Sequence, residues 1–216
     1  MNIIGNYIKV SKEILNISSS KKSELIVVSK NFTLEYLRPI LDIGHVHFGE
    51  NRVNEAISKW SSELKKNLNI QLHLIGKLQS NKIKNAVEFF SYIHSLDSKK
   101  LAILCHEQEK KSHKKTKYFI QVNIGNESQK SGVDINELDG LVDFCRTKTN
   151  LDIVGLMCIP PLSDNPVQYF EKLKILAIKH SLKELSMGMS NDFKSAIQNG
   201  STFVRIGSAI LGNRVS

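Results

Sequence analysis

Short apolar runs alternate with longer amphipathic stretches along the whole chain. The runs are Leu25 to Ser29, Val46 to Gly49, Leu72 to Gly76, Tyr92 to Leu96, Tyr118 to Asn123, Ile153 to Ile159, Glu184 to Met187 and Phe203 to Ile206. They read as continuously apolar rather than alternating, the pattern of strands covered on both faces. Between them the period becomes helical: Val53, Ile57, Trp60 and Leu64 share one face, as do Ile83, Val87 and Phe90, and Phe170, Leu173, Ala177 and His180. Asp134 with Glu137 reads as a capping box, and Asn165-Pro166 as an N-cap followed by Pro at the first helical position. Thr33 should cap a helix that stops at Gly44, with Pro39 kinking or shortening it. Strands alternating with helices imply a parallel sheet wrapped in helices. Eight such units predict an α/β fold, a (β/α)8 or TIM barrel, as a single domain over residues 1–216. A further helix over Ile3 to Ile17 precedes the first strand and should cover the gap where an eighth outer helix would sit.

Composition narrows the setting. With 41% hydrophobic and 24% charged residues the chain is ordinary globular protein. No apolar run approaches the roughly 18 residues of a membrane span, and Met1 to Tyr7 lack a basic segment followed by an apolar one, so no signal peptide is expected. Cys105, Cys145 and Cys158 are odd in number and widely spaced, which fits reduced thiols of a cytoplasmic protein better than disulfides or a zinc site. The net charge of +9 raises nucleic acid as a partner. Against it, only five of the 30 basic side chains are Arg, and the densest stretch, Lys110 to Lys117, has no aromatic residue to stack a base. A solvated Lys-rich surface is therefore the expectation. A nucleic-acid-binding barrel would instead lose affinity steeply with salt.

In such barrels the chemistry sits at the C-terminal ends of the strands, and phosphates are held by the loops after strands seven and eight. The first strand ends in Val27-Val28-Ser29-Lys30, the second in Phe48-Gly49-Glu50-Asn51, the seventh runs into Met187-Gly188-Met189-Ser190 and the eighth into Arg205-Ile206-Gly207-Ser208. Lys30 is either a snorkelling lysine or a partly desolvated amine suited to forming a Schiff base. Ser190 can cap the helix that follows it, and Gly207-Ser208 lets backbone approach an anion; together they form either a cap and a tight turn or a phosphate cup opposite Lys30. An amine and a phosphate cup suit pyridoxal phosphate, which carries an aldehyde and a phosphate. Arg205 is either a salt-bridged rim residue or the partner of the cofactor's ring nitrogen, where a guanidinium leaves that nitrogen unprotonated. His45-x-His47 places two imidazoles on one strand face, but no carboxylate or Cys pattern makes them a metal site.

The segments Leu25-Ile26-Val27-Val28-Ser29-Lys30, Phe48-Gly49-Glu50-Asn51-Arg52-Val53-Asn54-Glu55, His73-Leu74-Ile75-Gly76-Lys77-Leu78-Gln79-Ser80-Asn81-Lys82, Gln121-Val122-Asn123-Ile124, Lys130-Ser131-Gly132, Gly155-Leu156-Met157, Leu185-Ser186-Met187-Gly188-Met189-Ser190 and Phe203-Val204-Arg205-Ile206-Gly207-Ser208-Ala209-Ile210 resemble the pyridoxal phosphate homeostasis protein family. The resemblance spans nearly the whole chain. It implies a barrel like the N-terminal domain of alanine racemase, a Schiff base at Lys30, phosphate contacts from Ser190, Gly207 and Ser208, Arg205 at the ring nitrogen and Asn51 near the cofactor. It also implies a role in balancing the cell's pyridoxal phosphate without an established reaction, with apo-forms of pyridoxal enzymes as candidate recipients. The family often carries a second Lys two residues after the first, where this chain has Phe32. Lys130 matches a family position and is read as lying on a mobile loop.

The enzymatic rival is a racemase or lyase using the same cofactor. Racemisation needs bases on both faces of the alpha carbon. Alanine racemase takes its second base from an additional C-terminal domain of a partner subunit, and only Ser208 to Ser216 follow the last strand here. The expectation is a monomeric, non-catalytic binder with no metal, membrane or nucleic-acid partner.

Overall fold

The computed structural model describes residues 2–18, 23–127, 129–162 and 165–212. Eight parallel strands close into a barrel in chain order: β1 (Glu24–Val28), β2 (His47–Glu50), β3 (Gln71–Leu74), β4 (Tyr92–Leu96), β5 (Lys117–Gln121), β6 (Asp152–Met157), β7 (Glu184–Ser186) and β8 (Phe203–Ile206). All eight apolar runs became strands, each within a few residues of the expected bounds. Closure is made by β1 and β8, with Ile26 paired to Arg205 and Val27 to Ile206.

Helices α1 (Ile3–Ile17), α2 (Leu34–Asp42), α3 (Val53–Lys66), α4 (Ile83–Phe89), α5 (Lys99–Ser112), α6 (Ile135–Lys148), α7 (Val167–Lys179), α8 (Phe193–Gln198) and α9 (Ser208–Leu211) surround it. α1 packs against α2, α8 and α9, so it fills the outer layer between the last and first strands as the pattern implied. α2 continues through Pro39 rather than ending there, with Thr33 Oγ1 accepting from the Tyr36 amide at its start. Asp134 caps α6 through the Asn136 amide at 2.8 Å, and Asn165 Oδ1 accepts from Val167, although α7 itself starts one residue after Pro166.

Two apolar regions follow from the pleat. Outward residues such as Phe48, Tyr118 and Val27 pack with Trp60, Phe90 and Phe170 under the helices. Inward residues Ile26, Phe119, Met157 and Phe203 form a smaller cluster inside the barrel. The rest of the interior is polar: His73, His94, Ser186 and Arg205 are buried there too, where branched aliphatic residues usually dominate.

The three cysteines are buried free thiols, with Cys105 and Cys158 pushed up to about 12 and Cys145 to about 11 by burial. Such thiols carry almost no reactive thiolate near neutrality. Among the described residues no helix is long and apolar enough to cross a membrane, and no group of side chains is arranged to hold a metal ion.

Candidate functional site

Lys30 leaves β1 on a tight turn in which the Phe32 amide bonds back to the Ser29 carbonyl at 3.2 Å. Asn31 takes a left-handed φ of 67°, a conformation that Asn adopts more readily than most residues. The turn is braced from below. Lys59, on α3, donates to the carbonyls of Ser29 at 2.7 Å and Phe32 at 2.9 Å, one on each side of Lys30, and pairs with Glu50 at 2.7 Å. Glu50 Oε1 also accepts from Ser29 Oγ at 2.7 Å and Trp60 Nε1 at 2.9 Å. Glu50 is fully buried, so this carboxylate holds β1, β2 and α3 to one another directly beneath the half-buried Lys30. Glu50 stands in the motif read from sequence, but nothing marked Lys59 as its partner: the pair is nine residues apart, on different elements. Phe32, which stands where the family often has Lys, stacks on Tyr36 with ring centroids 5.0 Å apart.

Asn51 follows β2 and is half-buried. Its backbone comes so close to Gly76, at the end of β3, that a Cβ there would lie 2.3 Å from the Asn51 carbonyl oxygen. Glycine at 76 is thus what lets the second and third strand ends converge.

After β7 the chain turns at Gly188, whose φ of 91° and whose close approach to Ala196 and Phe193 exclude a side chain. The expected cap of the next helix by Ser190 is not formed. Asp192 is the residue at that end, with its carboxylate accepting from the Met189 amide at 2.6 Å. Ser190 Oγ instead accepts from the Ala209 amide at 3.3 Å, tying the loop after β7 to the first turn of α9. Sequence reasoning placed this hydroxyl on the nearest helix in the chain, whereas barrel closure delivers it to the helix after β8. A Cβ at Gly207 would meet Val28 only at ordinary contact distance, 3.4 Å, so protein packing alone does not demand glycine at that position. That contact also shows the loop after β8 lying beside the end of β1, rather than across the mouth from it.

Arg205 is not a rim residue. It is buried inside the barrel, donating from Nη1 to Ser186 Oγ at 2.7 Å and from Nη2 to the Cys158 carbonyl at 2.9 Å. No carboxylate pairs with it among the described residues; Asp192 acts on it only through space, and burial lowers its pKa. A buried cation left to dipoles alone retains unused donors for an electron-rich ligand atom.

His45 and His47 do not share a face. His45 precedes β2, so the pleat does not govern it; it packs outward on Phe48 and accepts from the Tyr7 hydroxyl at 3.1 Å while donating to the His47 carbonyl at 2.8 Å. Burial lowers it to about 4. His47 points inward to His73. Lys130 lies on the loop between β5 and α6, where it pairs with Glu127 at 2.5 Å and donates to the Pro160 carbonyl at 3.1 Å. Within the basic stretch Lys114 and Lys115 bond to Glu88, Glu109 and Asn150. Two clefts of about 460 and 310 Å³ open at the opposite, N-terminal pole, around Tyr92 and Lys117 and around Tyr7 and His45.

Residues 11–215 match the family described as alanine racemase, N-terminal domain. A pyridoxal phosphate homeostasis protein of Aquifex aeolicus is 38% identical over 201 residues, covering 89% of this chain and 87% of its own. The PipY protein of Synechococcus elongatus, solved with pyridoxal phosphate bound, is 32% identical with a TM-score of 0.86, over 97% of this chain and 100% of that one. Alanine racemase from Corynebacterium glutamicum shares the barrel, with a TM-score of 0.71 at 18% identity over 99% of this chain and 61% of that one.

Proposed function

The chain belongs to the alanine racemase N-terminal domain family and, within it, to the pyridoxal phosphate homeostasis proteins, and from that premise we propose that it binds pyridoxal 5'-phosphate at the C-terminal mouth of its barrel and acts as a cytoplasmic, monomeric carrier of the cofactor. The observation that carries this reading is the β1–β8 seam. Its register sets Ile26 level with Arg205 and brings Gly207 against Val28, so the strand that leads into Lys30 runs beside the strand that carries Arg205 and leads into α9.

Bound there, the cofactor offers an aldehyde to an amine and a ring that withdraws electrons when its nitrogen is protonated. Lys30 is the amine that would take the aldehyde, on a turn whose flanking carbonyls both accept from Lys59. Arg205 donates to the ring nitrogen and, having no proton-accepting site, keeps it unprotonated. Ser190, Gly207 and Ser208 hold the phosphate where the loop after β7 meets the first turn of α9, and Asn51 contributes from the end of β2. Apo-forms of pyridoxal enzymes are the recipients that such a carrier would serve.

The phosphate assignment predicts that Ser190→Ala weakens pyridoxal phosphate by roughly tenfold, the worth of one charge-assisted hydrogen bond, while leaving pyridoxal nearly unchanged. Titrations with the two ligands check this, and equal losses would move the phosphate elsewhere.

The carrier reading, as against a racemase or lyase, predicts no sustained turnover. Holo-protein incubated with L-amino acids in deuterated buffer should exchange alpha protons at far below 1 per second, the lower end of ordinary enzyme rates. Exchange at or above that rate with many turnovers per site would make the protein an enzyme.

A further inference from the structure

A continuous hydrogen-bonded chain runs through the barrel interior behind Arg205. Ser186 Oγ lies 2.7 Å from Arg205 Nη1 and 2.9 Å from His94 Nδ1; His94 Nε2 lies 2.9 Å from His73 Nδ1; and His73 Nε2 lies 2.9 Å from His47 Nδ1. His73, His94 and Ser186 are fully enclosed, while His47, at the start of β2, is half-buried and borders the cleft around Tyr7. The rings are held in place by neighbours, with His73 stacked on Tyr92 at 4.4 Å and His94 on Phe119 at 4.3 Å.

The direction of every proton in this chain follows from its inner end. A guanidinium only donates, so the Ser186 oxygen accepts from Arg205. Among the described residues, its own proton then has one acceptor within reach, His94 Nδ1. His94 must carry its hydrogen on Nε2 and give it to His73 Nδ1, and His73 must do the same toward His47 Nδ1. His73 and His94 are neutral, as burial favours, and each turns its lone pair toward Arg205 and its N–H away. The negative ends of these two ring dipoles therefore face a buried cation that no carboxylate among the described residues neutralises, and hydrogen-bonded dipoles aligned in series polarise one another.

We propose that Ser186, His94 and His73 are positioning residues for the cofactor's ring nitrogen: their relay solvates the Arg205 guanidinium, fixes its plane, and keeps its positive charge and a free N–H for an unprotonated pyridine nitrogen. A carboxylate in place of the relay would hold the guanidinium equally well but would cancel the charge that opposes protonation of the ring. The inference rests on the reading of Arg205 given under the proposed function.

Two measurements test it. In cofactor-free protein labelled with ¹⁵N-histidine, the ring-nitrogen shifts of His73 and His94 should report neutral Nε2–H tautomers, and Ser186→Ala should release His94 from that state. The second measurement compares pyridoxal phosphate with its benzene analogue, in which C–H replaces the ring nitrogen. The wild type should prefer the pyridine by about tenfold, and Ser186→Ala should narrow this to about twofold, with affinity for the analogue unchanged. Nδ1–H or doubly protonated rings in the wild type would overturn the relay without needing any variant or ligand. A full preference retained in Ser186→Ala would overturn its positioning role. A wild type that shows no preference, with tautomers as stated, would refute the ring-nitrogen role of Arg205 and the inference with it.

Discussion

Lys30→Ala abolishes covalent capture of pyridoxal phosphate: after borohydride treatment the wild type carries the cofactor on the peptide containing Lys30, and the variant carries none there and loses the visible absorbance of the bound cofactor. The expectation rests on position: Lys30 stands at the corner of the turn that follows β1, on the β1–β8 seam, where the loop after β8 comes against Val28. A neutral amine is required to attack an aldehyde. Residual, non-covalent binding through the phosphate should survive in Lys30→Ala, at lower affinity. Peptide mapping that finds the cofactor mainly on Lys59 or Lys130 would transfer the role to that residue and dismantle the site as drawn.

Glu50→Ala lowers stability by about 3–5 kcal/mol, the penalty for leaving one member of a buried ion pair without its partner. Glu50 is 1% and Lys59 12% exposed, so water does little to compensate. The Ser29 hydroxyl and the Trp60 indole N–H lose their carboxylate at the same time. Glu50→Gln keeps an acceptor for both and should cost less than the alanine change. Trp60 is the sole tryptophan and packs against Phe48 beside this carboxylate, so its fluorescence during urea unfolding reports the effect directly. The turn bearing Lys30 hangs from the same cluster, and capture of the cofactor at Lys30 should fall in Glu50→Ala even under conditions where the barrel is still folded. A stability loss under about 1 kcal/mol would mean that the pair does not brace the mouth.

The elements themselves were legible because their causes are local. Val53, Trp60 and Leu64 repeat at helical spacing, and Ile26 and Val27 lie in an apolar run too short for a helix; either pattern can be recognised within a dozen residues. The rule that barrel chemistry gathers where strands end made Lys30 a candidate, and the family resemblance assigned it the Schiff base. Ser190 and the pair His45 and His47 were misjudged for one shared reason. Each was assigned a partner or a face by nearness in the chain, while Ser190 reaches across 19 residues to Ala209 and His47 across 26 to His73.

By itself, then, the sequence determined eight strands, their intervening helices, the α1 cover and the motifs of the pyridoxal phosphate homeostasis proteins, since hydrophobic period and residue type are properties of short windows. Barrel closure decided the rest. Only the β1–β8 register sets Arg205 beside Ile26, because which residues meet across a seam depends on the stagger of the whole barrel and not on either strand alone. Only that closure turns His73, His94 and Ser186, on three different strands, into one file ending on a guanidinium. In a sequence each is a lone polar residue in an apolar run; inside the barrel each supplies the hydrogen bond that its neighbour's burial requires.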